Sequence, residues 1–122
     1  MYEIAVRKQF AAVHAIHLED GSLEPLHEHE WTVEVTVSAD QLDAIETIMD
    51  FHQLEQQIDT VIEYVRGRNI NDVEPFCLHI NPTAERIAWW FGTEIAKNLP
   101  SNVRLVGVTI GEAPGCTATY RL

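Results

Sequence analysis

The stretch WTVEVTVS, residues 31–38, decides the fold. Its apolar residues alternate strictly with polar ones: Trp31, Val33, Val35 and Val37 against Thr32, Glu34, Thr36 and Ser38. Because successive side chains of an extended chain point to opposite faces, this pattern is typical of a β-strand with one buried side. A strand with one solvent-facing side favours an antiparallel sheet over a parallel one.

Three further strands can be predicted outward from this stretch. Residues 2–16 are rich in β-branched and aromatic residues and alternate in part, and the turn residues Asp20-Gly21-Ser22 follow them. Two strands, residues 103–112 and 116–121, close the chain on either side of Ala113-Pro114-Gly115. The four strands are therefore expected as two pairs at the two ends of the chain.

Two helices are predicted between the strand pairs. Asp50 is the expected N-cap of the first helix, with Gln53 placed to complete a capping box, and its apolar stripe continues to Gly67. Asn81 is the expected N-cap of the second helix, with Pro82 in its first position. The order ββααββ predicts an α+β fold, in which two helices cover one face of a four-stranded antiparallel sheet. Such a sheet has two open edges, so self-assembly is expected.

Length and composition set the limits on function. The 122 residues predict a single domain over residues 1–122, and the net charge of −11 disfavours nucleic acid, anionic membranes and highly phosphorylated substrates as partners. The chain shows neither a secretory signal nor a bilayer-length apolar run, which predicts a cytoplasmic protein. Cys77 and Cys116 form no CxxC motif and are expected to be buried, inert thiols. The irregular connection over residues 67–78 is long enough to be functional.

Three histidines offer a metal site. His27 and His29 are two residues apart, so both rings point to one side of a strand, and a suitable hairpin register would add His14. Three imidazoles with a fourth position left open are typical of catalytic zinc. The alternative is that His27 and His29 merely lie at a polar rim.

Other polar residues near these histidines have more ordinary explanations. Further single histidines are more simply surface or hydrogen-bonded residues: His17, His52 and His79. Glutamates that can accept a hydrogen bond from the second ring nitrogen of a zinc ligand are Glu24, Glu28 and Glu30.

Five short motifs, taken in order, carry a family resemblance. They are FAAVH (10–14), LHEHEW (26–31), MDFHQL (49–54), NPTAERIA (81–88) and VTIGE (108–112). Together they resemble the 6-pyruvoyl-tetrahydropterin synthase family, including its bacterial 6-carboxy-tetrahydropterin synthase branch, over nearly the whole chain.

The resemblance implies a T-fold subunit, with trimers that close a β-barrel and two trimers that stack into a hexamer. It also implies Zn²⁺ on His14, His27 and His29, and a pterin ring held by Glu112 between neighbouring subunits, with Thr83 and Glu85 close by. A carboxylate suits the ring because it accepts two hydrogen bonds from the paired N–H donors of a 2-amino-4-oxo pyrimidine.

The sequence departs from the family pattern at the residues that transfer protons. Leu23 stands at the position of the family's cysteine, Arg66 and Gly67 stand at the positions of its Asp-His pair, and Glu28 replaces a glycine. Glu24 gives Glu-x-x-His-x-His, which is similar to a branch in which a glutamate replaces the cysteine, so Glu24 is the expected general base. The missing relay has two candidate replacements in the long connection: His79 and Asp72.

Two functions follow from this pattern. The first is a zinc-dependent lyase or aldolase that acts on the side chain of a reduced pterin, with triphosphate elimination less favoured. The second is an inactive zinc-containing paralogue that binds a pterin or purine-like ligand. An open fourth metal position lined by Glu24 would favour the enzyme, and a fourth protein ligand would favour the binding protein.

Overall fold

The computed structural model describes residues 1–122 and contains four strands and two α-helices. The strands are β1 (Tyr2–His14), β2 (His27–Ala39), β3 (Arg104–Ala113) and β4 (Cys116–Arg121), and the helices are α1 (Phe51–Ile62) and α2 (Ala84–Ala96). All four strands are antiparallel, in the order β1-β2-β3-β4. The helices pack on one face of the sheet, with α1 against β1 and α2 against β3 and β4. The α+β prediction is therefore confirmed.

The alternation in residues 31–38 organises the core. Trp31, Val33, Val35 and Val37 are fully buried. The long hairpin of β1 and β2 pairs without a break from Tyr2 opposite Ala39 to His14 opposite His27. Strand β2 begins at His27, so that the histidine pair opens the strand as predicted, and this register carries both histidine motifs to the same end of the sheet.

The first helix starts as predicted but ends earlier. The Asp50 side chain accepts the His52 N–H at 2.9 Å, and the reciprocal capping-box bond from Gln53 is not formed. Helix α1 ends at Ile62, and a turn continues to Gly67, which has the left-handed φ of 68°. Glycine adopts this conformation without the steric cost of a Cβ, so Gly67 ends the turn and not the helix.

The second helix begins two residues later than predicted. Its N-cap is Thr83, whose Oγ1 accepts the Arg86 N–H at 3.1 Å. Asn81 does not cap the helix, because its amide binds His17 instead: Oδ1 accepts the His17 N–H at 2.9 Å and Nδ2 donates to the His17 carbonyl at 3.0 Å. A contact distant in sequence therefore overrides the local cap signal.

The connection predicted to be irregular contains two short 3₁₀ helices, Ile70–Asp72 and Phe76–Leu78. It is attached to the end of β1 by backbone hydrogen bonds from Val13 N–H to the Arg68 carbonyl, 3.0 Å, and from Gly67 N–H to the Ala11 carbonyl, 2.7 Å. The connection therefore lies directly beside His14.

The prediction of buried cysteines is wrong. Cys77 and Cys116 are both exposed and unpaired. Cys77 lies in the second 3₁₀ helix, where Phe76 takes the buried position, and Cys116 opens the edge strand β4. Neither helix is long and apolar enough to cross a membrane.

Candidate metal centre

The hairpin register brings three imidazoles together at one end of the sheet. The ring centroids of His14 and His27 lie 4.5 Å apart, those of His27 and His29 4.6 Å, and those of His14 and His29 5.3 Å. His27 and His29 share a face of β2, as their spacing predicts, and His14 stands opposite His27 on β1.

The cluster lies on the core face of the sheet, against Trp31. This indole contacts the rings of His14 at 4.8 Å and His29 at 5.3 Å between centroids, and its Nε1 donates to the Ala12 carbonyl at 3.2 Å. Trp31 and His14 are fully buried, whereas His27 and His29 are partly exposed. The cluster is therefore closed on the side of Trp31 and open to solvent on the side of His27 and His29.

Two backbone carbonyls determine which ring nitrogens can bind a metal. Nδ1 of His14 lies 2.9 Å from the Pro82 carbonyl, and Nδ1 of His27 lies 3.0 Å from the Pro25 carbonyl. Because a carbonyl only accepts, each Nδ1 carries the proton and each neutral ring has its lone pair on Nε2. Such hydrogen bonds orient histidine ligands in metal sites. The glutamates expected to accept them, Glu24, Glu28 and Glu30, make none of these bonds.

A fourth residue, Glu112 near the end of β3, joins the cluster. Its Oε1 lies 3.0 Å from Nε2 of His14 and 3.9 Å from Nε2 of His29. One ligand atom from each of His14, His27, His29 and Glu112 fits within a mutual distance of 4.8 Å. Glu112, expected only as the ring anchor, is therefore also within reach of a shared metal.

The donor set fits a divalent metal ion. Nε2 of His14, Nε2 of His29 and Oε1 of Glu112 are buried and have no hydrogen-bond partner. Buried polar atoms are rarely left unpaired, and these atoms all face the same small volume. A tetrahedral ion with bonds of 2.0 to 2.1 Å holds its ligand atoms about 3.3 Å apart. The observed ligand atoms lie within 4.8 Å of one another, so the most distant of them would have to approach by up to about 1.5 Å.

Burial also sets the protonation state of His14. Burial of the ring lowers the pKa of His14, against the opposing effects of the hydrogen bond to Pro82 and the Glu112 carboxylate. The neighbouring His27 and His29 lower the pKa further. His14 is therefore neutral at neutral pH, which is the form that binds metals.

Glu24 lies at the edge of this cluster. Its Oε1 accepts the Ile16 N–H at 2.9 Å, its own N–H donates to the Ile16 carbonyl at 3.1 Å, and its Oε1 is 3.7 Å from Nε2 of His27. The carboxylate is therefore held by the segment that follows His14. The adjacent Leu23 is half-exposed and offers no polar atom.

The other expected site residues lie outside the four-residue cluster. The Thr83 hydroxyl caps α2, one residue after the carbonyl that orients His14, and Glu85 is exposed in the first turn of α2. The remaining candidates are exposed side chains: His17, His52, Asp72 and His79.

Two asparagines that the sequence does not mark as functional support the site. Asn71 binds both backbone groups of Ala15, the residue after His14: Oδ1 accepts its N–H at 2.9 Å and Nδ2 donates to its carbonyl at 2.8 Å. Asn81 makes the same two bonds to His17. The sequence marks Asn81 only as a helix cap and motif residue and Asn71 only by its place in the long connection, because the partners of both lie more than fifty residues away.

Comparison with known proteins finds matches that extend over nearly the whole chain. The sequence profile of the family described as 6-pyruvoyl tetrahydropterin synthase matches residues 3–122. A protein named dihydroneopterin monophosphate aldolase, from Pyrococcus furiosus, is 35% identical over 109 residues, which cover 89% of this chain and 88% of that protein.

Solved structures share the fold at lower identity. The 6-pyruvoyl tetrahydropterin synthase of Caenorhabditis elegans matches 99% of this chain and 95% of its own, with a TM-score of 0.85 and 22% identity. The enzyme of Plasmodium vivax, in a form with a catalytic glutamate replaced by alanine, matches 99% and 97%, with a TM-score of 0.82 and 16% identity. The chain belongs to the 6-pyruvoyl tetrahydropterin synthase family.

Proposed function

We propose that this chain is a zinc-dependent enzyme that cleaves the side chain of a reduced pterin by aldolase-type chemistry. The observation that carries the proposal is the set of inward-facing acceptor atoms on His14, His27, His29 and Glu112, three of which are buried and have no other partner. The choice of an aldol reaction is supported by the identity of 35% to a dihydroneopterin monophosphate aldolase.

Elimination of a triphosphate is disfavoured by the charges of this chain. Five of its eight cations already have carboxylate partners, at 2.9 to 3.5 Å: Arg7 with Glu34, Lys8 with Glu55, Arg66 with Glu63, Lys97 with Glu94 and Arg104 with Asp40. With a net charge of −11, the chain offers little to balance a triphosphate. Leu23, at the position of the family's cysteine, has no proton to exchange.

The substrate ring would be held by this chain's own carboxylate. Glu112 can accept hydrogen bonds from the 2-amino group and the adjacent ring N–H of a pterin, and Thr83 and Glu85 are the nearby residues that the family resemblance suggests. In this proposal the pocket lies between neighbouring subunits of a homohexamer built from two trimers, which also covers the open edges of β1 and β4.

When bound, zinc would coordinate the side-chain hydroxyls and lower their pKa. Glu24 accepts the proton of the hydroxyl on the second side-chain carbon. The bond between the first and second carbons then breaks, so that the second carbon becomes an aldehyde and the bonding electrons pass into the C6=N5 imine of the dihydropterin. Glu24 returns its proton to the first carbon, which leaves a 6-hydroxymethyl group and a balanced reaction.

A second candidate function is favoured by one observation. Glu112 can act as a fourth protein ligand, and four protein ligands are typical of structural zinc, whereas catalytic zinc keeps one position open. A paralogue that holds zinc and binds a pterin without turnover would have this arrangement.

Three measurements test the proposal: metal content tests the zinc site, and turnover separates the enzyme from the binding protein. Protein purified without added metal is expected to contain about one zinc per chain on metal analysis. Incubation with 7,8-dihydroneopterin, its monophosphate and its triphosphate, followed by chromatography, is expected to yield 6-hydroxymethyl-dihydropterin from the first two in preference to the triphosphate. Glu24→Gln is expected to lower kcat by about 100-fold or more with little change in KM, whereas Glu19→Gln, an exposed glutamate in the same loop, leaves both unchanged.

Each contrary result has a definite meaning. Pterin binding without turnover of any substrate would support the binding protein. Elimination of triphosphate would contradict the argument from charge, and a metal-free protein that takes up no zinc on titration would end the zinc proposal. Full activity in Glu24→Gln would remove Glu24 from the mechanism.

A further inference from the structure

We infer that Glu112 occupies the fourth metal position when no substrate is bound, and that a substrate hydroxyl must displace it. This inference rests on the proposed function, from which it takes the metal and the class of substrate. It assigns one carboxylate two successive tasks, as a metal ligand in the empty site and as the ring anchor in the occupied one.

The first argument is the short distance between two acceptor atoms. Nε2 of the neutral His14 ring carries a lone pair, because Nδ1 donates to the Pro82 carbonyl. Oε1 of Glu112, also an acceptor, lies 3.0 Å from it, and neither atom has a hydrogen-bond partner. Two buried lone pairs at this distance repel each other unless a cation lies between them. Glu112 is therefore a ligand by the same criterion as the histidines.

The second argument is the position of Glu112 in the sheet. Gly111 pairs with Thr117 and Ala113 with Cys116, so Glu112 is an extra residue on β3 with no partner on β4. The last pair between β2 and β3 is Thr32 with Gly111, so Glu112 also lies beyond the paired part of β2. Bulges of this kind occur beside active sites, where they redirect a side chain.

The third argument is the partial exposure of the side chain. About a third of it, 30%, is accessible although Oε1 is buried, so the carboxylate extends from the metal cluster to the surface. His14, by contrast, is completely enclosed and cannot leave. The His27 side chain is also 37% exposed, but its Nδ1 is held by the Pro25 carbonyl at 3.0 Å. Glu112 has no such bond at Oε1 and lies at an unpaired place in its strand, outside the first hairpin, so it is the ligand most able to exchange.

The consequence is a metal that is closed until substrate arrives. Four protein ligands leave no position for an activated water. A pterin offers ring donors to the carboxylate and hydroxyls to the metal, so both groups exchange partners in a single binding event. Solvent is thereby kept from the metal in the empty site.

The test uses Co²⁺, whose visible ligand-field absorption reports its coordination. Metal-free wild-type protein, Glu112→Gln and Glu19→Gln are each titrated with Co²⁺, and circular dichroism checks their folding. We expect Glu112→Gln to bind Co²⁺ at least about 10-fold more weakly, with an altered spectrum, and Glu19→Gln to match wild type. Adding neopterin, an oxidised pterin that keeps the side-chain hydroxyls, is expected to change the spectrum of wild-type protein.

The outcomes separate this inference from the proposed function. Equal Co²⁺ affinities and spectra in wild type and Glu112→Gln would overturn the inference and leave the three-histidine site intact. A second result is that Glu112→Gln binds Co²⁺ more weakly while saturating neopterin leaves the wild-type spectrum unchanged. That result would keep Glu112 as a ligand but overturn its exchange for a substrate hydroxyl. A wild-type protein that binds neither Co²⁺ nor Zn²⁺ would overturn the proposed function itself.

Discussion

Two asparagines make identical bonds in different surroundings, which permits a matched test of what supports the site. Asn71 bonds the N–H and the carbonyl of Ala15 at 2.9 and 2.8 Å, and Asn81 bonds those of His17 at 2.9 and 3.0 Å. Ala15 is fully buried, whereas His17 is exposed. The perturbation is Asn71→Ala compared with Asn81→Ala.

Burial decides the expected magnitude. Asn71→Ala leaves one buried N–H and one buried carbonyl without partners, at about 1 to 3 kcal/mol each, so the free energy of unfolding should fall by roughly 2 to 5 kcal/mol. At His17 water replaces the lost amide, so Asn81→Ala should cost about 1 kcal/mol or less. The first loss is a large part of the roughly 5 to 15 kcal/mol typical of a folded domain.

The assay is urea unfolding of the metal-free proteins, followed by tryptophan fluorescence. The midpoint should fall much further for Asn71→Ala, with the slope m unchanged in both variants. Because Ala15 follows His14 directly, Asn71→Ala should also weaken zinc binding. Equal losses of stability in the two variants would refute the reasoning, since they would show that burial of Ala15 does not determine the cost.

Three other predictions concern His14, β3 and α1. Burial lowers the pKa of His14, so below about pH 6.5 the unfolded chain binds more protons than the folded one. The unfolding free energy of the metal-free protein should therefore fall by up to about 1.4 kcal/mol per pH unit as the pH drops below that value. In urea unfolding, His14→Asn should lose this pH dependence. Gly111→Ala would place a Cβ against Oγ1 of Thr32, so it should lower the free energy of unfolding by about 1 to 3 kcal/mol. Adding Thr32→Ala to this variant should restore stability, and a Gly111→Ala protein as stable as wild type would contradict the clash. Asp50→Ala should cost about 1 kcal/mol in thermal unfolding, and a similar cost for Gln53→Ala would contradict the absence of its capping bond.

Local patterns were sufficient to predict the elements of the fold, but not all of their ends. The alternation of residues 31–38 can be satisfied only by a strand with one buried face, and the structure buries all four apolar positions. The start of α2 could not be predicted, because Asn81 and Thr83 are both good caps two residues apart. The choice depends on His17, which is far from both in sequence and binds the amide of Asn81.

The candidate site shows the same division between local and distant information. The spacing of His27 and His29 is local, so their common face could be predicted. The loop from 15 to 26 is too long to define a register, so only the full pairing of β1 with β2 sets His14 opposite His27. The place of Glu112 in the cluster depends on the bulge in β3, which no periodicity in the sequence reveals. Such a residue can be found only when the strands are assembled.

Charge connects the candidate metal cluster with the proposed preference for a lightly phosphorylated substrate. The chain carries −11 before any metal is counted, and five of its eight cations are paired with carboxylates: Arg7, Lys8, Arg66, Lys97 and Arg104. A bound divalent ion would therefore be the strongest positive charge near the site. With Glu112 as a ligand, the cluster of three neutral histidines and one carboxylate holds that ion with a net charge of +1. A substrate hydroxyl that replaces the carboxylate and passes its proton to Glu24 would restore the same value for the ion and its direct ligands. Exchange of one anionic ligand for another would therefore keep the charge of the ion and its direct ligands constant, which avoids the large cost of burying an unbalanced charge.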